Sequence, residues 1–159
     1  MPKVRKTRNR GFSLLELVLV VVIIGIIAAI AIPRLSRGSQ GAADAALSGN
    51  LAVLRNGIDL FVAEHPDTFP AVGDITDALT KYSDTVGTGF VSTKDVDHIY
   101  GPYIRSIPPL PVGARKGSTG IAAADANGVG WIYTASDGSI KANTTASEKD
   151  ASGKLYSDY

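Results

Sequence analysis

The stretch NRGFSLLELVLVVVIIGIIAAIAIPRL, residues 9–35, decides the fold because one glutamate, Glu16, stands at the head of an otherwise uncharged apolar run. As a helix rising 1.5 Å per residue, residues 12–32 would extend roughly 30 Å, about the hydrocarbon thickness of a bilayer. The length of the run and its lack of turn residues favour a membrane-spanning helix over a buried strand.

The charges are distributed unevenly around this run. The first ten residues contain five basic side chains and no acid: Lys3, Arg5, Lys6, Arg8 and Arg10. The positive-inside bias therefore predicts a cytoplasmic N-terminus, with the rest of the chain across the membrane. The whole chain has 16 basic and 15 acidic residues, so 16 − 5 = 11 basic residues face 15 acids after the leader. A mildly acidic body does not favour nucleic-acid binding.

Considered from the residues alone, the apolar run has two ordinary interpretations. It could be a secretory signal cleaved at the small-x-small site Ala29-Ile30-Ala31, or an uncleaved anchor in which Glu16 is tolerated near the interface.

The chain contains no cysteine, which excludes disulfides, cysteine-ligated zinc and thiol catalysis.

A third interpretation comes from the motif Gly11-Phe12-Ser13-Leu14-Leu15-Glu16, which follows the basic leader and precedes the apolar run. It resembles the class III signal of type IV pilins and type II secretion pseudopilins. The resemblance implies that a prepilin peptidase cuts between Gly11 and Phe12 and N-methylates Phe12. It also implies that the helix loosens at Gly25 and Pro33 inside an assembled filament.

The resemblance implies a role for Glu16 as the partner of a positive charge. An ionised carboxylate in hydrocarbon costs several kcal/mol unless it is neutralised or paired. Cleavage would create an ammonium on Phe12, one helical turn away, and the two charges can pair within a subunit or between neighbours. The resemblance favours pairing between subunits, so Phe12 and Glu16 are predicted to be the assembly contact; a partly hydrated, unpaired Glu16 is the alternative.

Beyond the span, apolar residues recur at steps of 4, 3, 4 and 3 along one helix face: Leu47, Leu51, Leu54, Ile58 and Phe61. This helix is predicted to pack on the protein's own sheet and to end near Glu64, because His65 precedes Pro66. Since Pro33 should kink or open the chain, residues 12–64 are expected to form one long, interrupted helix.

The remaining elements predict a small α+β head. Residues 74–82 suggest a short helix capped by Asp74, and the stretch YIRSIPPLPVG, residues 103–113, has the extended, proline-broken character of a sheet edge. Residues 129–143 predict a hairpin that turns at Gly138. The predicted fold is a pilin-like lollipop, in which a long N-terminal helix packs on a small antiparallel sheet.

The sequence gives no positive support for catalysis, because it contains no nucleophile elbow and no phosphate loop. Asp95, Asp97 and His98 could ligate a metal, although a solvated loop is the favoured interpretation. The resemblance makes calcium possible in the C-terminal third, without assigning ligands. The oxygen donors there are Asp125, Asn127, Asp137, Asp150, Ser152 and Asp158.

The sequence therefore predicts a cleaved leader at 1–11, a membrane and filament-core helix at 12–33, and a periplasmic or extracellular head at 34–159. The expected function is structural: a filament subunit, most like a major (G-type) pseudopilin of a type II secretion system. The absence of a cysteine pair and a compact mature chain of 159 − 11 = 148 residues favour that branch over a surface pilus subunit. A membrane-anchored or secreted binding domain is the alternative from another class.

The resemblance also implies the partners and the location. Expected partners are the prepilin peptidase, identical subunits, minor pseudopilins or pilins, an inner-membrane assembly platform with its ATPase, and membrane lipid before assembly. The expected location is the bacterial inner membrane, followed by a periplasmic fibre or a surface pilus.

Overall fold

The computed structural model describes residues 12–66 and 68–159. The helices are α1 (Leu14–Glu64), α2 (Ile75–Thr80) and a short 3-10 helix (Tyr156–Asp158). The strands are β1 (Tyr82–Ser83), β2 (Phe90–Val91), β3 (Gly120–Ala122), β4 (Val129–Thr134) and β5 (Ser139–Ala142). The chain divides into two compact units between Gly38 and Ser39, and we call residues 39–159 the head. This α+β composition, with a long N-terminal helix, confirms the predicted fold class and is consistent with a pilin-like chain.

Helix α1 ends at Glu64, as the His65-Pro66 pair predicts. Its helical assignment continues through Gly25 and Pro33, and the kink or opening expected at Pro33 stays a prediction. A proline removes only one main-chain donor, and the regular turns on both sides maintain the helix. Loosening of this segment inside a filament stays a prediction.

Within α1, residues Leu14–Ile32 are long and apolar enough to cross a membrane. None of the window is buried inside the structure, and large side chains such as Leu14, Ile24 and Ile32 are exposed. Such a surface is stable only in lipid or against other apolar helices.

The core of the head forms between α1 and a sheet. All five residues of the predicted stripe are buried, and four of them join one cluster with Trp131, Tyr133 and Ile140: Leu47, Leu51, Leu54 and Ile58. The polar tips of the two aromatic residues are satisfied: Trp131 Nε1 donates to Pro108 O at 2.9 Å, and Tyr133 OH donates to Pro70 O at 3.0 Å. The prediction that the stripe packs on the protein's own sheet is confirmed.

The predicted hairpin is also confirmed. Strands β4 and β5 pair antiparallel, with Trp131 opposite Ala142 and Thr134 opposite Ser139. The turn between them contains Gly138 at φ +68°, a conformation that favours glycine. A Cβ at this position would overlap the Phe69 ring, so the turn needs glycine for space as well.

The main sheet also contains one parallel pair that the sequence did not predict. The main sheet has the order β3-β4-β5, and β3 pairs parallel with β4. The loop of residues 123–128 returns the chain beside β3 through Gly128, whose φ is +80°, and the register shifts between Gly120 and Ile121. A separate two-stranded antiparallel sheet is formed by β1 and β2.

Two smaller expectations also need correction. Residues 101–112 form no strand, because the prolines among them cannot donate to a ladder; the segment instead buries Leu110 and Val112 against the core. Helix α2 buries Ile75, Ala78 and Leu79, yet Asp74 makes no side-chain cap hydrogen bond. Its φ of −107° and ψ of −9° are helical rather than extended, which turns the carboxylate away from the cap position.

Candidate functional site

The first turn of α1 is closed by two reciprocal hydrogen bonds between Ser13 and Glu16. The Ser13 N–H donates to Glu16 Oε2 at 2.8 Å, and the Glu16 N–H donates to Ser13 Oγ at 3.1 Å. This arrangement is a capping box, which satisfies two main-chain donors that a helix start otherwise leaves without acceptors.

Sequence reasoning missed this box, although its signal was present. Ser-x-x-Glu before an apolar run, here Ser13 to Glu16, is the recognised pattern of a capping box. Glu16 therefore has a partner inside its own helix. Because a carboxylate offers about four acceptor sites, the bond to Ser13 still leaves room for a second donor.

Phe12 lies directly before this turn, with 85% of its side chain exposed. The predicted cleavage bond joins it to Gly11, and Gly11 lies outside the described residues, as does the basic leader. Cleavage, methylation of Phe12 and pairing with Glu16 remain predictions. The structure does place Glu16 at the N-terminal end of an exposed apolar helix, one turn from residue 12.

Residues 6–32 match the family model described as the prokaryotic N-terminal methylation motif. The chain carries a prokaryotic N-terminal methylation motif. This class III signal is typical of type IV pilins and pseudopilins, and it implies processing by prepilin peptidase and assembly as a pilin-like subunit. No curated protein and no solved structure matches the chain.

In the head of this methylation-motif chain, residues 150–159 form what we call the C-terminal clasp. Tyr156 OH donates to Asp44 Oδ1 at 2.7 Å, and the Ala151 N–H donates to Asp44 Oδ2 at 3.0 Å. Arg55 on α1 donates to the main-chain oxygen of Tyr159 at 2.7 Å. These bonds attach the end of the chain to α1 without a disulfide.

Ionisation in the clasp follows from its tyrosine–aspartate pairs. Tyr159 OH donates to Asp150 at 2.5 Å; this bond lowers the pKa of Asp150 and raises the pKa of Tyr159 to about 12. Burial, followed by the bond to Asp44, raises the pKa of Tyr156 to about 12. Over the neutral pH range Asp150 is therefore ionised, and the phenols of Tyr156 and Tyr159 are protonated.

Three of the candidate metal ligands, Asp95, His98 and Asp125, are engaged in hydrogen bonds with other side chains or the main chain. Asp95 Oδ1 accepts the N–H groups of Asp97 and His98, and His98 Nδ1 lies 2.8 Å from the same oxygen, so the KDVDH segment is a self-satisfied loop. Asp125 pairs with Arg115, and that hydrogen bond lowers the pKa of Asp125. In residues 12–66 and 68–159 no cluster of three or more acidic or histidine side chains is placed to hold a metal.

One serine–histidine contact also appears. Ser83 Oγ lies 3.2 Å from His65 Nε2, a distance at which a histidine can activate a hydroxyl. Both side chains are buried, at 0% and 2% exposure, and the His65 ring is stacked on Phe61 with centroids 4.0 Å apart. No substrate can reach this serine, so the pair joins β1 to the end of α1 and gives no support for catalysis.

Proposed function

We propose that this protein is a structural subunit of a type IV pilus-like filament, most like a major pseudopilin that polymerises into a periplasmic fibre for protein secretion. The observation that carries the proposal is the methylation motif at residues 6–32, with Glu16 fixed at the first turn of an exposed apolar helix. The basic leader supports a cytoplasmic N-terminus and a periplasmic head.

The apolar half of α1 suits two environments in turn. Lipid covers its side chains while the subunit waits in the inner membrane, and neighbouring helices cover them after assembly. Helix association in an apolar medium relies on close packing and on a few polar contacts rather than on release of water. A charge pair between Glu16 of one subunit and the Phe12 ammonium of another would set their axial register.

The mature N-terminus tests the proposal. We expect mass spectrometry of membrane-extracted and fibre-fraction protein to find a chain that begins at Phe12 and carries one methyl group on its amine. A chain that begins at Ile32, or one that keeps its leader, would contradict the filament function. Ala31→Val, which alters the alternative small-x-small site, is the matched control and should leave the Phe12 start unchanged.

Electron microscopy then separates the secretion fibre from a surface pilus. Fibres confined to the periplasm support the pseudopilin branch, for which the lack of cysteine in the sequence argues. Fibres on the cell surface would instead make the chain a subunit of a surface pilus.

A further inference from the structure

Two Asn-Gly pairs occur in the chain, Asn56-Gly57 and Asn127-Gly128. Asparagine is one of the thermolabile residues of proteins. Its side-chain amide carbon can be attacked by the main-chain nitrogen of the next residue, and the attack meets least steric resistance when that residue is glycine, which has no Cβ. The two pairs share the same reacting groups, so a large difference in their reactivity has to come from the fold.

The pair Asn127-Gly128 occupies the two central positions of a turn between β3 and β4. The Val129 N–H donates to Ala126 O at 3.2 Å and closes this turn, in which Gly128 has φ +80°. The closing bond of a β-turn uses neither central N–H group. Among the residues that the structure describes, neither the Asn127 side chain nor the Gly128 N–H has a hydrogen-bond partner, and both residues are exposed. The electrophile and the nucleophile are therefore adjacent and free.

The pair Asn56-Gly57 lies inside α1 and is protected there. Asn56 is exposed, as Asn127 is, so access to solvent does not distinguish the two asparagines. The Gly57 N–H, however, is a donor of the helical hydrogen-bond ladder. Gly57 is also buried, and a Cβ built on it would lie 3.3 Å from Leu79 and 3.4 Å from Ile104. This packing opposes the main-chain rotation that ring closure needs.

We propose that Asn127 is a site of spontaneous deamidation in the folded protein, with water as the only co-reactant. The Gly128 nitrogen bonds to Asn127 Cγ, the bond from Cγ to the side-chain nitrogen breaks, and the proton of the attacking amide leaves with the ammonia that is released. The product of this step is a cyclic succinimide. Water then opens the ring at either carbonyl carbon, which gives aspartate or isoaspartate. The reaction does not depend on the proposed filament function.

The modification adds charge and main-chain length beside the parallel strand pair. Either product carries a new carboxylate, ionised at neutral pH, in a loop that already carries Asp125. Isoaspartate also inserts one carbon into the main chain directly before Gly128, whose carbonyl oxygen accepts the Gly120 N–H at 3.0 Å. That bond joins the start of β3 to the residue before β4, and we expect isoaspartate to weaken it.

Peptide mapping by mass spectrometry tests the proposal on the folded, detergent-solubilised chain after incubation at mildly alkaline pH. We expect the peptide that contains Asn127 to gain the mass of an amide-to-acid exchange and to separate into aspartate and isoaspartate forms, whereas the peptide that contains Asn56 stays unchanged. In concentrated urea both peptides should convert, because unfolding frees the Gly57 N–H. The urea sample is therefore the matched control for the intrinsic reactivity of the two pairs.

Mapping has to resolve individual sites, because Asp137-Gly138 can form the same ring by loss of water. Gly128→Ala places a Cβ where no other atom lies within 4 Å and should slow the conversion of Asn127 at least several-fold. Asn127→Gln should slow it as well, because the longer side chain has to close a larger ring. An Asn127 that stays unmodified in the folded chain, conversion of Asn56 at the same rate, or an unchanged rate for Gly128→Ala would overturn the proposal.

Discussion

Three substitutions separate the capping role that the structure shows for Glu16 from the assembly role that we propose for it. Ser13→Ala removes the hydroxyl of the capping box and keeps the Glu16 carboxylate. Glu16→Gln keeps a side chain that can complete the box, since Ser-x-x-Gln also caps a helix, but it removes the negative charge. Glu16→Ala removes both the cap acceptor and the charge.

Loss of the capping role and loss of the charge are expected to cost different amounts of free energy. Loss of a capping hydroxyl costs about 1 kcal/mol, which is roughly a fivefold change in an equilibrium. An ammonium left without its partner in an apolar surrounding costs about 3 kcal/mol or more, roughly a hundredfold change. Fibre formation should therefore fall slightly for Ser13→Ala and severely for Glu16→Gln, with Glu16→Ala about as low as Glu16→Gln or lower.

The assay compares the fibre fraction, measured by sedimentation of sheared material, with the amount of chain that begins at Phe12, measured by mass spectrometry. This normalisation separates assembly from leader cleavage. Full assembly by Glu16→Gln would show that the charge is dispensable and that Glu16 acts only as a cap. Equal damage from Ser13→Ala and Glu16→Gln would refute the division of roles.

Three further predictions concern the stability and ionisation of the detergent-solubilised chain. Gly138→Ala should lower the free energy of unfolding by about 2 kcal/mol in urea titrations, because both φ and the Phe69 ring oppose a Cβ; Gly117→Ala, with φ +90° and open space, should cost only about 1 kcal/mol. Leu51→Ala should cost about 3 kcal/mol in the same titrations, whereas Val53→Ala on the exposed face should cost almost nothing. The contribution of the Asp150–Tyr159 bond should be complete between about pH 4 and pH 10. Below that window the stabilisation should be lost as the pH falls through the lowered folded-state pKa of Asp150, because its carboxylate then becomes protonated. Above the window it should be lost as the pH rises towards 12, the raised folded-state pKa of Tyr159, because the phenol then ionises. The tyrosinate absorbance that is lost on Tyr159→Phe should titrate near pH 12, and a lost component that titrates near pH 10 would contradict the hydrogen bond.

The elements that could be predicted from the sequence are those in which a local pattern matches the tertiary environment. The stripe from Leu47 to Phe61 repeats at the period of a helix, and the same residues are buried in the folded head, so local and global preferences agree. The β4–β5 hairpin combines β-branched and aromatic residues with a glycine turn, and its register follows from that turn.

The parts that could not be predicted depend on contacts between segments far apart in the chain. The parallel pairing of β3 with β4 involves a strand of three residues, too short to show a period of two. The C-terminal clasp joins Tyr156 to Asp44 across 112 positions, and neither residue belongs to a local pattern. The capping box, in contrast, could have been predicted from the sequence. Its pattern, Ser-x-x-Glu at residues 13–16, lies within the motif that contains the same glutamate.

The two explanations of Glu16 are compatible, and together they account for a carboxylate at the start of an apolar helix. Before cleavage, residue 12 contributes only an amide to its peptide bond, and the carboxylate accepts the Ser13 N–H within the same helix. Cleavage at the proposed bond would add an ammonium one residue before Ser13, without any change in the helix itself. The same carboxylate, already held at the helix end by its cap, can then accept that donor from a neighbouring subunit. In the proposed filament, a cap of this kind would keep Glu16 satisfied in the isolated subunit and available to the neighbouring subunit, so one side chain would serve both states without a rearrangement of the backbone.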